Sequence, residues 1–506
     1  MQKILELNNV DLPGHRLNGY NLQQYIKSHP ELDLCAKMAV CHKFSKNKDV
    51  IKIYSPSIEH FDYKIEEIEK TYLSVKNQLS IAEPALTNLK EYKDADILHF
   101  HMYHNMNLPI SFLERIPKEK KIIIDVHDTF FLTDDCPCKA CSARRGNKKP
   151  IPTLEVFSFT HKNCHSLNNQ KQDVLSNIDA TFIVHSQFML DLFKSSPITK
   201  NIKKIHLIPF GININKFRDS KNQKTLKQKY SIPPENIVLF CRAQEEFKGI
   251  QYVNKACQIM DSKYPITIIT VSGTGMLSSL ADKYQIIDFG LVKDEPKMIE
   301  LYNLCDIFLS PSTEESFGLM AVEAMACGKP VIVFDGTALP YTTFAPGCGV
   351  VVPKSDHKKL ARAISTLVND KSERTRRGKM ARALAKKHYD DARYHASIAK
   401  LYLNLPARHP RKLHRQTSDN PILEDKIYSH LQKIMPSVLS SKAILPAPHK
   451  GSIDYSLQST QDTLFRVNEE LYQTVMKKFG KITPVFIARK IIPEPIKKKI
   501  RRFYAN

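Results

Sequence analysis

Apolar runs alternate with polar loops in the middle of the C-terminal half, and their lengths predict a strand, a helix and a second strand. Residues 306–310 (DIFLS) and 331–334 (VIVF) are short apolar runs and predict two buried strands. Between them, residues 318–327 have helical spacing, and Gly328 and Pro330 then end the helix. This order predicts a βαβ unit of a parallel sheet.

Two glutamates, Glu315 and Glu323, lie in this unit. Ligands bind beyond the carboxyl ends of parallel strands, which places Glu315 at the mouth of a cleft and Glu323 about two turns into the helix. We expect both carboxylates to face one ligand and to accept hydrogen bonds from its hydroxyls, while the N–H groups around residues 317–319 attract phosphate. Binding groups for a sugar, a phosphate and a ribose on one element indicate a nucleotide sugar as the ligand.

The environment of Glu323 is almost wholly apolar, because Ala321, Val322, Ala324 and Met325 surround it in the sequence. An ionised side chain in such a place is costly unless it is paired, so Glu323 needs a partner. The alternative is that Glu315 is an ordinary loop carboxylate and Glu323 a solvated helix residue.

The string E-S-F-G-L-x-x-x-E-A-M-A-C-G-x-P-V-I resembles the E-x7-E signature of the group 1 family of retaining glycosyltransferases, which have the GT-B fold. Other fragments agree with that family in order and spacing over residues 1–405. They are residues 95–99 (ADILH), 208–213 (IPFGIN), 238–242 (VLFCR) with Lys248 and Gly249 after it, 271–275 (VSGTG) and 287–290 (IDFG). A chance match to one fragment is easy, whereas five in order are not.

The resemblance implies roles for particular residues. Arg242 and Lys248 would neutralise the donor diphosphate, Glu315 would hold hydroxyls of the transferred sugar, and Glu323 would hold the ribose. His127 would face the donor sugar. The remaining donor-binding residues would be Gly14, Ser316, Phe317, Gly318 and Leu319. Fixed Arg and Lys side chains stabilise the departing diphosphate without a metal, so no cofactor is required.

The chain departs from the family pattern at several positions. The first loop has only Gly14 where two glycines are usual, Phe210 stands where Asn is usual, and Cys241 precedes Arg242 where Gly is usual. Residues 335–341 also differ, so the choice of donor is expected to be unusual. Taken alone, Lys248 also fits a surface lysine, and His99 and His101 fit packed strand histidines.

Length and composition predict two domains and an appendage. At 506 residues the chain is too long for one core, and its apolar fraction of 42% is ordinary. We expect an α/β chain of the GT-B type with two Rossmann-like domains facing across a cleft: residues 1–205 for the acceptor, 206–385 for the donor, and 386–405 crossing back. Neither a signal peptide nor an apolar run of transmembrane length is visible, which predicts a cytoplasmic protein.

Residues 406–506 predict a linker and a basic, mainly helical extension. The formal net charge of the chain is +23, and residues 477–506 contain ten basic residues interleaved with bulky apolar ones against one acid, Glu494. This pattern predicts amphipathic helices on an anionic membrane, peripheral on the inner face of the plasma membrane. A solvated basic face is the alternative. Nucleic-acid binding is disfavoured, since no reading motif accompanies the charge.

The eleven cysteines fall into two classes. Cys241, Cys257, Cys305 and Cys327 stand singly in apolar segments and predict inert core thiols. The spacing of Cys136, Cys138 and Cys141, followed by Cys164, fits a structural zinc site, with free or redox-active thiols as the alternative.

These observations predict a retaining, metal-independent hexosyltransferase. It would move a sugar from a nucleotide diphosphate to a hydroxyl of a glycan acceptor, such as a lipid-linked oligosaccharide in surface-polysaccharide assembly. Two alternatives are a sugar-nucleotide epimerase or phosphorylase on the same fold, and a non-catalytic scaffold or carbohydrate-binding protein.

Overall fold

The computed structural model describes residues 1–405, apart from residues 13, 54–81, 107, 133–163, 244–245, 273–274 and 293. In these residues the chain forms two parallel β-sheets with helices packed on them. The predicted extension, residues 406–506, lies outside the described residues. The predicted α/β architecture with two sheets is confirmed.

The first sheet has the order β3-β2-β1-β4-β5-β6-β7, and all of its neighbouring strands are parallel. Its strands are β1 (Gln2–Val10), β2 (Leu34–His42), β3 (Val50–Lys52), β4 (Ile97–Phe100), β5 (Lys121–Val126), β6 (Ala180–Val184) and β7 (Ile205–Leu207). Strands β4 and β6 are buried along their whole length, as continuous apolar runs in a sheet covered on both faces should be.

The helices of this half connect successive strands. They are α1 (Tyr20–Ser28), α2 (Ala82–Asn88), α3 (Lys90–Asp94), α4 (Phe112–Arg115), α5 (Cys164–Asn177) and α6 (Gln187–Ser195), with 3-10 turns at Pro30–Leu32 and Tyr103–Met106. Helix α6 begins where the side chain of Ser186 accepts a hydrogen bond from the backbone N–H of Met189, which satisfies one free donor of the first turn.

The second sheet has the order β10-β9-β8-β11-β12-β13 and is also parallel. Its strands are β8 (Ile237–Arg242), β9 (Ile266–Val271), β10 (Gln285–Asp288), β11 (Ile307–Ser310), β12 (Val331–Phe334) and β13 (Val350–Val352). Its helices are α7 (Gln223–Lys229), α8 (Ile250–Ile259), α9 (Glu295–Leu304), α10 (Leu319–Ala326), α11 (Leu339–Thr342), α12 (His357–Asn369) and α13 (Lys371–His388), with 3-10 turns at Glu246–Lys248 and Ser278–Leu280. The βαβ unit predicted around the two glutamates is β11–α10–β12, within one residue at each end.

The strand order reverses beside the first strand of each sheet, where β1 lies between β2 and β4, and β8 between β9 and β11. At such a point the loops leaving neighbouring strands diverge and open a crevice beyond the carboxyl ends. The loops after β1 and β8 therefore have the positions from which a ligand can be bound.

The last described helix, α14 (Asp391–Asn404), packs against the first sheet rather than the second. Tyr402 donates a hydrogen bond to Glu6 Oε1 of β1 at 2.9 Å, and its hydroxyl lies 2.5 Å from His99 Nδ1 of β4. The chain thus returns to the half in which it began. The domain boundaries at 205, 385 and 405 stay predictions.

A fully buried charged cluster anchors this helix, and Glu6, His99, His101 and Asp125 form it. His101 bridges the two carboxylates, with 2.8 Å to Glu6 Oε2 and 2.8 Å to Asp125 Oδ2. Burial alone would raise the pKa of Glu6 and of Asp125, but the histidines outweigh it and lower both values. Burial alone would lower the pKa of His99, but Asp125 and Glu6 raise it to about 9.

The single cysteines predicted to be core thiols are buried: Cys241, Cys257, Cys305 and Cys327. Burial raises the pKa of Cys257 and of Cys305 to about 12, so their thiols stay protonated and inert. In the part of the chain that the structure describes, no helix has both the length and the apolarity to cross a membrane.

The buried cluster should make stability depend on pH in two ways. The pKa values of Glu6 and Asp125 are lowered on folding, so their contribution is present above their ordinary values of 4.5 and 3.8 and is lost as pH falls through the folded values. The pKa of His99 is raised from 6.5 to about 9, so its contribution is complete below pH 6.5 and is lost as pH rises through 9.

Replacing His99 by Gln tests the second part, because the amide keeps hydrogen bonding without the charge. At pH 6, wild type should be more stable than H99Q by about 1–3 kcal/mol, and this difference should shrink toward zero at pH 9.5. Urea unfolding at both pH values measures it. A difference of the same size at both would contradict the assignment of the charge to His99.

Candidate active site

The loop before α10 is shaped by Gly318, which begins that helix. Gly318 has φ +88°, and a Cβ at this position would lie 2.3 Å from Leu339 Cδ2 and 3.4 Å from Glu315 Cγ. A larger residue therefore fits neither the backbone conformation nor the space. Glycine lets the loop turn sharply, so that Glu315 folds back over the start of the helix.

A cavity of about 190 Å³ opens in front of this loop. It brings together the predicted residues His127, Arg242, Lys248 and Glu315 with residues 316–319. The other lining residues are Leu17, Phe210, Phe308, Leu309, Ser310, Ser312, Met320 and Ala321. The cavity lies beyond the ends of β8 and β11, where the order of the second sheet reverses.

Lys248 and Glu315 form an ion pair at the cavity, with 2.7 Å between Nζ and Oε2 and 17% of each side chain exposed. The turn that holds Lys248 depends on Gly249, whose φ is +80° and whose Cβ would lie 2.0 Å from the carbonyl oxygen of Pro311. The backbone N–H of Thr313 also donates to the carbonyl of Phe247 at 2.8 Å. The close approach of Gly249 to Pro311 and the hydrogen bond of Thr313 fix the turn of Lys248 and Gly249 against the loop of Glu315. Lys248 is therefore not a surface lysine.

Aromatic rings form one wall of the cavity. His127 follows β5, is 10% exposed, and its ring lies 5.1 Å from that of Phe210. Phe210 stacks on His185 with 3.6 Å between ring centroids and meets Phe317 edge to face. Phe210, at the position where the family usually has Asn, thus packs between rings from both halves of the chain.

His185 supports this wall as a neutral ring. Its Nδ1 donates to the carbonyl of Ile208 at 2.8 Å, and burial lowers its pKa to about 3. On the other side of the wall, His127 Nε2 lies 3.5 Å from Asp125 Oδ2, so the buried cluster stands directly behind the histidine that lines the cavity.

Glu323 does not line the cavity. Only 4% of its side chain is exposed, because Arg16 covers it with Nη1 at 2.5 Å from Oε1 and Tyr302 donates to Oε2 at 2.6 Å. These two groups are the partners that its apolar surroundings require. The expectation that both carboxylates face one ligand is therefore not met in this conformation, since Arg16 shields the second one.

Gly14 does not line the cavity either. It has φ +73°, and no atom lies within 4 Å of the position that a Cβ would take, so the first loop is open on that side.

The sequence-based prediction missed Arg16 and Tyr302. The available signal was weak: Arg16 is a basic residue in the loop after the first strand, two positions after Gly14. A second contact of the same kind was also missed, because the hydroxyl of Ser186 donates to the carbonyl of Ser316 at 2.7 Å across the two halves.

The zinc prediction is not tested by the structure. Cys136, Cys138 and Cys141 lie outside the described residues, and Cys164 is described only as the first residue of α5. Within the described part of the chain, two groups bring potential metal ligands together: Glu6, His99 and His101, and His101, Asp125 and His127. Both nitrogens of His101 already contact carboxylates, so the hydrogen bonds hold this cluster together without an ion.

Comparison with known proteins gives a family for the second half. Residues 222–384 match the model of the group 1 glycosyl transferases. The D-inositol 3-phosphate glycosyltransferase of Corynebacterium jeikeium is 28% identical over 253 residues, which are 47% of this chain and 60% of that protein. The capsular polysaccharide biosynthesis glycosyltransferase CapM of Staphylococcus aureus is 28% identical over 36% of this chain and 51% of its own length. The match thus spans about half the length of these relatives.

Solved structures resemble the whole described chain. Sucrose-phosphate synthase from Thermosynechococcus elongatus has a TM-score of 0.57 at 17% identity, over 80% of this chain and 99% of its own. Anabaena Alr3699/HepE, in complex with UDP and glucose, has a TM-score of 0.54 at 17% identity, over 80% of this chain and 100% of its own. At this identity the likeness concerns the fold alone.

The family model covers the cavity residues Arg242, Lys248, Glu315 and Ser316–Ala321 together with Glu323. The two-sheet fold agrees with that of the solved neighbours over 80% of the chain. The chain has the GT-B fold, and its residues 222–384 match the model of the group 1 glycosyl transferases.

Proposed function

We propose that this chain is a retaining glycosyltransferase that moves a sugar from a nucleotide diphosphate sugar to a hydroxyl of a glycan acceptor. The observation that carries the proposal is the Lys248–Glu315 pair at one cavity with Arg242 and His127. One cation and one carboxylate in contact offer a phosphate and a hydroxyl their complementary partners within a single site.

The chemistry assigned to each side chain follows from its charge and place. A diphosphate leaving group gains negative charge as its bond to the sugar breaks, and Arg242 and Lys248 are fixed where they can stabilise that charge. Glu315 accepts hydrogen bonds from sugar hydroxyls, and His127 contacts the sugar from the wall that it shares with Phe210. The two cations supply the positive charge, so the proposed reaction needs no metal. Retention at the anomeric carbon rests on the family resemblance.

The donor and the acceptor are proposed by class. A nucleotide sugar as donor is supported by the HepE structures, which contain UDP with glucose and UDP-glucose. A growing, lipid-linked glycan as acceptor is supported by the similarity to CapM, a glycosyltransferase of capsular polysaccharide biosynthesis, and by the basic sequence of residues 477–506. That extension would hold the enzyme on the inner face of the plasma membrane. The cluster Cys136, Cys138, Cys141 and Cys164 stays a proposed zinc site.

A ligand screen tests the donor proposal. Thermal unfolding of the full chain is measured with UDP, GDP, ADP, CMP and dTDP, and with their sugar conjugates. A ligand at 100 times its dissociation constant should add about 2.7 kcal/mol to the free energy of unfolding. We expect one nucleotide to stabilise the protein, and one of its conjugates to do so more strongly. If none of them raises the melting temperature, the scaffold alternative is favoured.

Replacing Lys248 by Met should slow transfer by about 100- to 1000-fold, the usual effect of losing one group that stabilises developing negative charge. Steady-state rates with the donor found in the screen measure this. Lys204→Met is a matched control, because Lys204 forms an exposed ion pair with Asp179 on the first sheet, far from the cavity. Comparable transfer rates in K248M and K204M would contradict a role of Lys248 in catalysis.

Replacing Glu315 by Gln should separate the contribution of the sugar to donor affinity from that of the nucleotide. The variant loses the carboxylate that accepts sugar hydroxyls, and it also frees Lys248 from its ion pair. Calorimetry should therefore show the nucleoside diphosphate binding as tightly as to wild type or more tightly, while the additional affinity of the sugar conjugate falls about tenfold. An equal loss for both ligands would assign Glu315 to the nucleotide instead.

A further inference from the structure

Arg16 and Glu323 form an ion pair between the two halves of the molecule. Arg16 belongs to the loop that follows β1 of the first sheet, and Glu323 lies within α10 of the second. The guanidinium also lies over the ring of Phe217, 5.3 Å from its centroid. Arg16 thus reaches across the cleft and ends on a carboxylate that the family resemblance assigns to the ribose of the donor.

The pair neutralises a buried charge. Glu323 is almost fully buried, so its carboxylate has no water to solvate it, and Tyr302 supplies one hydrogen bond only. Burial opposes the charge of Arg16 as well, yet Glu323 raises the pKa of Arg16 above its ordinary value. Neither ion is stable there without the other, or without another partner that takes its place.

Arg16 is close to where the donor phosphates are expected. Its neighbour Leu17 lines the cavity together with Arg242 and Lys248. One quarter of the Arg16 side chain is exposed, and no atom lies within 4 Å of the position that a Cβ of Gly14 would take, two residues before Arg16. A guanidinium offers a planar fork of N–H donors that matches phosphate oxygens.

We infer that Arg16 changes partner when the donor binds. This inference rests on the function proposed above. Arg16 leaves Glu323, the ribose hydroxyls take its place on the carboxylate, and the guanidinium binds the diphosphate. In this structure the two carboxylates are neutralised internally by two ion pairs, Arg16–Glu323 and Lys248–Glu315. In the filled site the hydroxyls pair with the carboxylates, and the phosphates pair with the cations.

The exchange predicts opposite effects on nucleoside and nucleoside diphosphate. In Arg16→Met, Glu323 is uncovered but a phosphate contact is lost. Calorimetry on the full chain measures the dissociation constants of UDP, GDP and ADP, and of uridine, guanosine and adenosine. Each diphosphate is compared with the nucleoside that has the same base. The diphosphate should bind at least about tenfold more weakly than to wild type, while the nucleoside should bind equally or more tightly.

Two further variants keep the test decisive if R16M folds poorly. Arg16→Lys retains the charge and should recover part of the diphosphate affinity. Glu323→Gln should show the reverse pattern, with weaker nucleoside binding and a larger gain from the diphosphate, since Arg16 is already free. Arg115→Met is the matched control, because Arg115 pairs with Glu83 on the same half and away from the cleft. It should bind both ligands as wild type does.

Three outcomes would overturn the inference. If R16M changes the affinities for the nucleoside and for the diphosphate by the same factor, Arg16 does not exchange one partner for another. It then either blocks the site or supports it for both ligands alike. If R16M binds both ligands as wild type does, Arg16 takes no part. If wild type itself binds none of these three diphosphates and neither CMP nor dTDP, the proposed function fails and the exchange fails with it, which is distinct from a change confined to R16M.

Discussion

The cost of burying a carboxylate explains more of this structure than any other single constraint. An ionised group removed from water must be compensated by a cation or by hydrogen-bond donors. Glu6 and Asp125 obtain this from His99, His101 and Tyr402, whereas Glu323 obtains it from Arg16 and Tyr302. His99 and His101 come from β4 and its end, which the sheet already places between β1 and β5. Tyr402 and Arg16, in contrast, join their carboxylates to segments that the sheets alone do not connect.

Each of these two clusters lies beside an element of the site. Asp125 lies two residues before His127, so the cluster that anchors α14 also stands behind the wall of the cavity. The second cluster joins the loop after β1 to α10, whose first turn faces the same cavity. The last helix and His127 therefore contact the same buried cluster, the helix through Tyr402 and His127 through Asp125.

The local elements could be predicted from the sequence because their causes are local. Apolar run length, helical spacing and the glycines at 318 and 328 suffice to define β11, α10 and β12, and Gly249 marks the turn that presents Lys248. The placement of Glu315 and Lys248 at one cavity followed from the ordered motifs. What the motifs do not contain is the partner of a buried charge, because Arg16 and Glu323, or Glu6 and Tyr402, meet only after two sheets have formed and faced each other.

Phe210 shows how a departure from a motif is explained only by tertiary contacts. In the sequence, Phe210 is one of the differences from the family pattern that indicate an unusual donor, but the sequence gives no structural reason for the difference. In the fold its ring stacks on His185 and closes the wall beside His127 and Phe317. A polar Asn at this place would leave its amide between aromatic rings, with the Nδ1 proton of His185 already given to Ile208. Phe210 and His185 therefore form one unit, of which Phe210 lines the cavity and presents an apolar face on that side.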